Sequence, residues 1–243
     1  MEIKLEQTVA DIVASEIQTA HVFKKYGIDF CCNGGITLER ACTKNGIDFE
    51  QLKSELEHAC YFRSAKPDYQ QWSPGFLCDY IVNTHHHFVK QSIELLNAYS
   101  EKVFKVHAQN HQPLSEIKEL YQALAAELLM HMQKEEMILF PYIKELELTI
   151  HQKQPMHAPT FGTIENPLRM MHAEHESAGS MLKQIELLTN HYQAPDWACN
   201  TFKAFYDKLA AFQDDLHIHI HLENNVLFPQ ALAMEKSLPS KTL

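Results

Sequence analysis

The sequence predicts an all-α protein, with a small N-terminal three-helix unit followed by an up-down-up-down four-helix bundle. Three observations point there. Only 7 glycines and 10 prolines punctuate 243 residues, which disfavours a many-turned β fold. Apolar residues, 45% of the chain, recur at helical spacing. The pattern also changes once, at the polar segment SAKPDYQQWSPG (residues 64–75), from short helical stretches to four long ones.

The elements follow in order. Residues 8–26 place Val9, Ile12, Val13, Ile17 and Ala20 on one helical face, and Gly27 is a stop. An irregular segment, Ile28-Asp-Phe-Cys-Cys-Asn-Gly-Gly35, comes next. Thr37 can cap a short helix ending near Asn45-Gly46, and Asp48 with Gln51 can cap another running to about Phe62. Residues 1–65 are thus one predicted domain. A unit of about 60 residues buries a limited core, which makes a homodimer through it a reasonable expectation. Residues 64–75 read as a linker, and residues 76–236 as the second domain. Its first helix runs from Phe76 past Ser100 and frays near His111-Gln-Pro113. The second spans Leu114–Leu148, and a loop follows through Gln154-Pro155 and Pro159 to Gly162. The third spans Asn166–Tyr192, and the fourth runs from Pro195-Asp196 to about Met234. Four long helices with short connections build such a bundle.

Charge and cysteine usage exclude several partners. The formal charge of −10 leaves no basic surplus for phosphates, so nucleic acid is not expected. There is no signal-peptide pattern and no run of about 18 apolar residues, so no membrane association is expected. Six scattered cysteines read as free thiols of a cytoplasmic protein.

The chemistry lies in a repeat. His131-Met-Gln-Lys-Glu135-Glu-Met-Ile-Leu-Phe140-Pro141 matches His219-Ile-His-Leu-Glu223-Asn-Asn-Val-Leu-Phe228-Pro229. Both read His-x-x-x-Glu-x-x-(Ile/Val)-Leu-Phe-Pro, on the second and fourth long helices. Residues four apart are rotated by only about 40°, so each His/Glu pair shares a face. The apolar tails, Ile138-Leu-Phe140 and Val226-Leu-Phe228, continue into a core. A carboxylate buried there alone would be costly, and a metal pair removes that cost.

The first and third helices supply the missing ligands. His86 precedes His131 by 45 positions, and His175 precedes His219 by 44. That near-equality selects His86 from the His85-His86-His87 triplet and pairs it with His175. The candidate set is therefore His86, His131, Glu135, His175, His219 and Glu223. Each of two metals could receive two histidines, with both carboxylates and a solvent-derived oxo or hydroxo group bridging. Such ligation suits iron, and also manganese or zinc. The Glu-x-x-His motif of ferritin-like bundles is absent from this pattern. Around these positions, His217 and His221 are expected to face solvent. His172 reads equally as packing or as a support to ligands, and Glu136 as solvent-facing or a support.

These stretches, with Tyr26-Gly-Ile-Asp-Phe-Cys-Cys-Asn-Gly-Gly35 and Ala173-Glu-His-Glu-Ser-Ala-Gly179, resemble the RIC family of iron–sulfur cluster repair di-iron proteins. The resemblance runs from residue 8 to about 232. It implies an ScdA-type N-terminal domain with a Cys-Cys motif and a hemerythrin-like bundle. The bundle would hold two iron ions between four histidines and two bridging glutamates. Oxygen-carrying hemerythrins instead have five histidines and one aspartate beside one glutamate.

The resemblance also implies repair of iron–sulfur clusters damaged by oxidative or nitrosative stress, a stress-response role carried out by donating iron. Damaged iron–sulfur proteins would be the partners, with nitric oxide or oxygen species as small ligands. The alternatives are an enzyme reducing nitric oxide or peroxide at the same irons, or a diatomic or redox sensor. No flavin, nicotinamide or haem motif is present, so electrons would come from a partner or small reductant. Cys31 and Cys32 are the candidate functional thiols, because Asn33-Gly34-Gly35 permits an exposed turn where thiols react. Cys42, Cys60, Cys78 and Cys199 are expected to be structural.

Overall fold

The computed structural model describes residues 3–61, 68–152 and 159–238. The predicted helix end at Phe62, residues 64–67 of the linker and the Gln154-Pro155 loop lie outside them. Among the described residues the chain is all-α, and the only extended pairing is an isolated antiparallel bridge between Thr8 and Thr37.

Thr8 caps α1 (Val9–Ser15) by accepting from the Asp11 amide at 3.1 Å. The single helix expected over 8–26 is broken at Glu16, whose φ of −141° is non-helical. The Ser15 hydroxyl bonds back to the Asp11 and Ile12 carbonyls, and Thr19 bonds the Glu16 carbonyl; such local bonds compete with helix continuation. A 3₁₀ turn, Ile17–Thr19, leads into α2 (Ala20–Lys25). Breaking the helix lets both pieces bury apolar faces, with Ile12, Val13, Val22 and Phe23 all buried.

Thr37 caps α3 (Leu38–Asn45), and Gly46 ends it in the left-handed conformation, φ +64°, as a C-terminal glycine does. Asp48 accepts from the Gln51 amide at 2.8 Å and opens α4 (Phe49–Tyr61). The second half of the expected linker is structured. Asp68 caps a 3₁₀ turn over Tyr69–Gln71, and buried Tyr69 packs edge-on against Trp72.

Among the described residues four long helices follow, and three contain a π turn. Helix α5 comprises Pro74–Ile81, a π turn at Val82–His86, and His87–His107. Helix α6 comprises Pro113–Lys134, a π turn at Glu135–Leu139, and Phe140–Gln152. Helix α7 (Glu165–Leu188) is regular. Helix α8 comprises Asn200–Leu222, a π turn at Glu223–Leu227, and Phe228–Ser237.

The chain forms two compact units. One joins the residues before Asp79 to the stretches beginning at Leu146 and His217. The other comprises Asp79–Glu145 and Pro159–Leu216. In the first, Ile12, Val13, Phe23, Leu38, Leu52 and Leu56 form a core that Ile220 of α8 completes. The limited core of the small helices is thus supplemented from within the chain. In the second, apolar residues of all four long helices converge, among them Leu96, Leu128, Leu182 and Phe212.

Candidate metal centre

Four of the predicted ligands lie in the second unit, and all are buried: His86 and Glu135 at 0% exposure, His175 at 2% and His131 at 3%. His86 closes the π turn of α5, and Glu135 opens that of α6. A π turn widens the helix by one residue and is frequent at functional sites. In α6 it also shifts the inward stripe. Leu139 and Phe140 are buried, whereas Ile138, expected in the core, is 50% exposed.

The Glu135 carboxylate lies 3.3 Å from His86 Nε2 and 3.4 Å from His131 Nε2. His131 Nε2 is in turn 3.0 Å from His175 Nε2. Ligand atoms of His131, Glu135 and His175 all fall within 4.8 Å of one another.

Two histidines are oriented from behind. His86 Nδ1 lies 2.8 Å from Glu136 Oε1, and Lys90 donates to the same oxygen at 2.8 Å. His131 Nδ1 lies 2.8 Å from Glu174 Oε2, and Lys134 donates to the other Glu174 oxygen. A carboxylate on Nδ1 fixes the tautomer that presents a bare Nε2, the arrangement that supports metal-bound histidines. Burial pushes Glu136 up, but hydrogen bonds from Lys90 and His86 outweigh it and hold the carboxyl below its ordinary value. The hydrogen bond from His131 lowers Glu174 further, to about 2, with Lys134 assisting against desolvation. Both carboxylates are therefore ionised at neutral pH.

These residues fit a metal ion. Both Glu135 oxygens are buried without a hydrogen-bond partner, although an unsolvated carboxylate is costly unless a cation balances it. With metal–nitrogen bonds of about 2.1 Å, nitrogens 3.0 Å apart subtend about 90° at one ion, the angle of adjacent octahedral positions rather than tetrahedral ones. Mixed imidazole and carboxylate donors suit iron or manganese.

The other two predicted ligands lie in the first unit. His219 Nε2 is 2.8 Å from Glu223 Oε1, with both side chains buried and Glu223 opening the π turn of α8. His221, expected in solvent, is wholly buried. The N-terminal segment covers it: Phe30 packs edge-on against His221 and His217. Burial drives the His221 pKa down to about 4, against a smaller opposing effect of the Phe30 carbonyl. Within the triplet on α5, His86 lies beside Glu135, His85 is also buried but turns to Asp215 at 3.0 Å, and His87 is exposed. His172 is also exposed.

The double-cysteine loop belongs to the first unit as well. The exposed turn expected at Asn33-Gly34-Gly35 holds for Asn33 and Gly35, but Gly34 is buried, Cys31 is buried at 6% exposure and Cys32 is half-buried. Cys32 beside it, burial and Asp29 together push the Cys31 thiol well above its ordinary value. In the metal-free chain Cys31 is therefore a thiol, not a reactive thiolate. Asn224 donates to the Cys31 carbonyl at 3.2 Å, and the Asn225 amide reaches the Phe30 and Cys31 carbonyls at 3.3 and 3.2 Å. Cys42, Cys60 and Cys78 are buried, while Cys199 is exposed beside His107 at 3.4 Å.

Glu174, Asn224 and Asn225 were not singled out from sequence. The asparagines had a signal: they replace Glu136 and Met137 where the two copies of the repeat diverge. Val226 is buried where Ile138 is exposed, because α1 packs against the π turn of α8.

Two family models match the chain. Residues 5–60 match the ScdA_N model, described as a domain of unknown function (DUF542), and residues 79–231 match the hemerythrin HHE cation binding domain. The chain is 34% identical over 230 residues to the iron-sulfur cluster repair protein YtfE of Enterobacter sp. (strain 638), covering 95% of this chain and 98% of that protein. It is likewise 34% identical, over 231 residues with the same coverage, to the YtfE of Dickeya chrysanthemi (strain Ech1591). The YtfE of Escherichia coli O8 (strain IAI1) is also 34% identical, over 230 residues.

Proposed function

We propose that this chain, which belongs to the YtfE family of hemerythrin-domain proteins, repairs iron–sulfur clusters damaged by oxidative or nitrosative stress by donating iron. His86, His131, Glu135, His175, His219 and Glu223 would hold the metal, two iron ions per chain. Bound there, iron would supply an exchangeable store and a centre able to take up small diatomics.

The observation that carries the reading is Glu135. Its carboxylate is fully buried among imidazole nitrogens and has no hydrogen bond of its own. Around it the protein does three things. Glu136 and Glu174 hold His86 and His131 by Nδ1 and leave Nε2 toward the centre. Lys90 and Lys134 keep those carboxylates charged without entering the site. Apolar residues beside the ligands, such as Phe140 stacked on His86, exclude water. His219 and Glu223 join the set through the sequence repeat and their own burial.

The partners would be iron–sulfur proteins with incomplete clusters, in the cytoplasm. The test is reactivation of a cluster enzyme damaged by peroxide or nitric oxide, with iron in the donor protein followed throughout. The reading predicts that activity returns as the donor loses iron. Sustained consumption of nitric oxide with an added reductant, at constant iron content and without reactivation, would replace it with a reductase.

A further inference from the structure

We propose that Asp29, Cys31 and Cys32 form a second metal site, a tetrahedral dithiolate–carboxylate site for a thiophilic divalent cation such as Zn2+ or Fe2+, with its fourth position open. It goes beyond the iron-donor reading and does not depend on it.

The geometry comes first. One atom from each of the three side chains lies within 4.8 Å of the others. The two sulfurs are 3.7 Å apart, and Cys31 Sγ is 3.4 Å from Asp29 Oδ1. With metal–sulfur bonds of about 2.3 Å and metal–oxygen bonds of about 2.0 Å, these separations subtend about 107° and about 104° at a common ion. Both lie close to the tetrahedral angle. A disulfide is a poor alternative, because a 3.7 Å separation must contract to about 2.05 Å between adjacent residues.

Preorganisation is the second point. Asp29 Oδ1 accepts from the Cys31 and Cys32 amides at 3.0 Å each, and Oδ2 accepts from Asn33 at 2.7 Å. Asn224 and Asn225 hold the loop by its carbonyls. Gly34 seats the loop on α1: its carbonyl accepts from the Ala10 amide at 2.8 Å, and a Cβ there would collide with the Phe30 carbonyl oxygen. The donors are thus fixed before any ion arrives, which lowers the cost of assembling the site. Two thiolates and a carboxylate would carry three negative charges, of which a divalent cation offsets two. Cys31 is buried, but Cys32 is half-buried and Asp29 exposed, so the ion can enter from solvent.

The test is an anaerobic titration of the full-length, iron-loaded, thiol-reduced protein with Co2+. The expected result is one further equivalent bound, with a thiolate-to-cobalt charge-transfer band and the intense visible bands of a tetrahedral ion. Added Zn2+ should displace it. Cys32→Ser should weaken the charge-transfer band and Cys31→Ser/Cys32→Ser should abolish it, while bundle iron and helicity stay unchanged. Asp29→Asn should weaken cobalt binding by about tenfold or more.

No charge-transfer band in the wild type would overturn the proposal, as would a band that survives Cys31→Ser/Cys32→Ser. Unchanged affinity in Asp29→Asn would remove the carboxylate from the site. Glu135→Leu separates the two readings: it should cost the bundle its iron and leave the cobalt band intact.

Discussion

Asn224 donates to the Cys31 carbonyl at 3.2 Å, so the residue that follows the candidate ligand Glu223 also holds the double-cysteine loop. The π turn at Glu223–Leu227 thereby serves two tasks. It presents a buried carboxylate on one side and, through Asn224 and Asn225, anchors the loop on the other. Replacing both asparagines by alanine should remove the anchor at a cost of about 1–2 kcal/mol. Amide exchange at Cys31 and Cys32, whose N–H groups bond Asp29, should speed up in step. Unaltered exchange there would mean that the asparagines do not hold the loop.

The contact from Glu174 to His131 makes a different prediction. Glu174→Gln keeps the shape but removes the charge that fixes the tautomer of His131. Metal affinity should fall by roughly 10- to 100-fold, the usual effect of losing such a support. Competition against a chelator measures it, with helicity as the control for folding. An affinity equal to wild type would reduce Glu174 to a surface ion pair with Lys134.

Glu135→Leu should act with opposite sign on the two forms of the protein. Without metal, the buried carboxylate has no hydrogen bond, and an apolar replacement should raise stability by about 1–3 kcal/mol. With metal, the same change removes a ligand and lowers retention. Thermal unfolding of stripped and loaded samples shows both effects. A variant destabilised in the stripped form would indicate that Glu135 is satisfied by the protein alone.

His221 sets a pH dependence. Burial lowers its pKa from 6.5 to about 4. Between those values the unfolded chain takes up a proton that the folded chain does not, so stability is complete above pH 6.5 and is lost as pH falls toward 4. The loss should be about 3 kcal/mol across that window. His221→Gln should flatten this part of the curve in denaturant titrations of metal-free protein. An unchanged slope would assign the loss to other histidines.

Much of this was legible in sequence where one local rule decides. Thr37 and Gly46 cap α3 as their types demand, and the repeat located His131, Glu135, His219 and Glu223 on the helices that carry them. What stayed hidden depends on tertiary contact. A π turn has no composition of its own, so the spacing points Ile138 inward although the wider turn rotates it outward. His221 looked solvent-facing because alternation about His219 says nothing of a second layer, and Phe30 supplies that layer. The break at Glu16 was masked by apolar spacing that continues through it. Glu174 meets His131 across 43 positions, a pairing that periodicity along one helix does not encode.

The proposed di-iron centre would draw its ligands from His86, His131, Glu135, His175, His219 and Glu223. Elemental analysis of protein made in iron-replete cells, with Mössbauer spectroscopy of the same sample, tests it most directly. The expected result is two iron ions per chain, seen as a coupled pair, with loss of that signal in Glu135→Leu. A single tetrahedral zinc ion in the bundle, or iron that remains stoichiometric in Glu135→Leu, would contradict it.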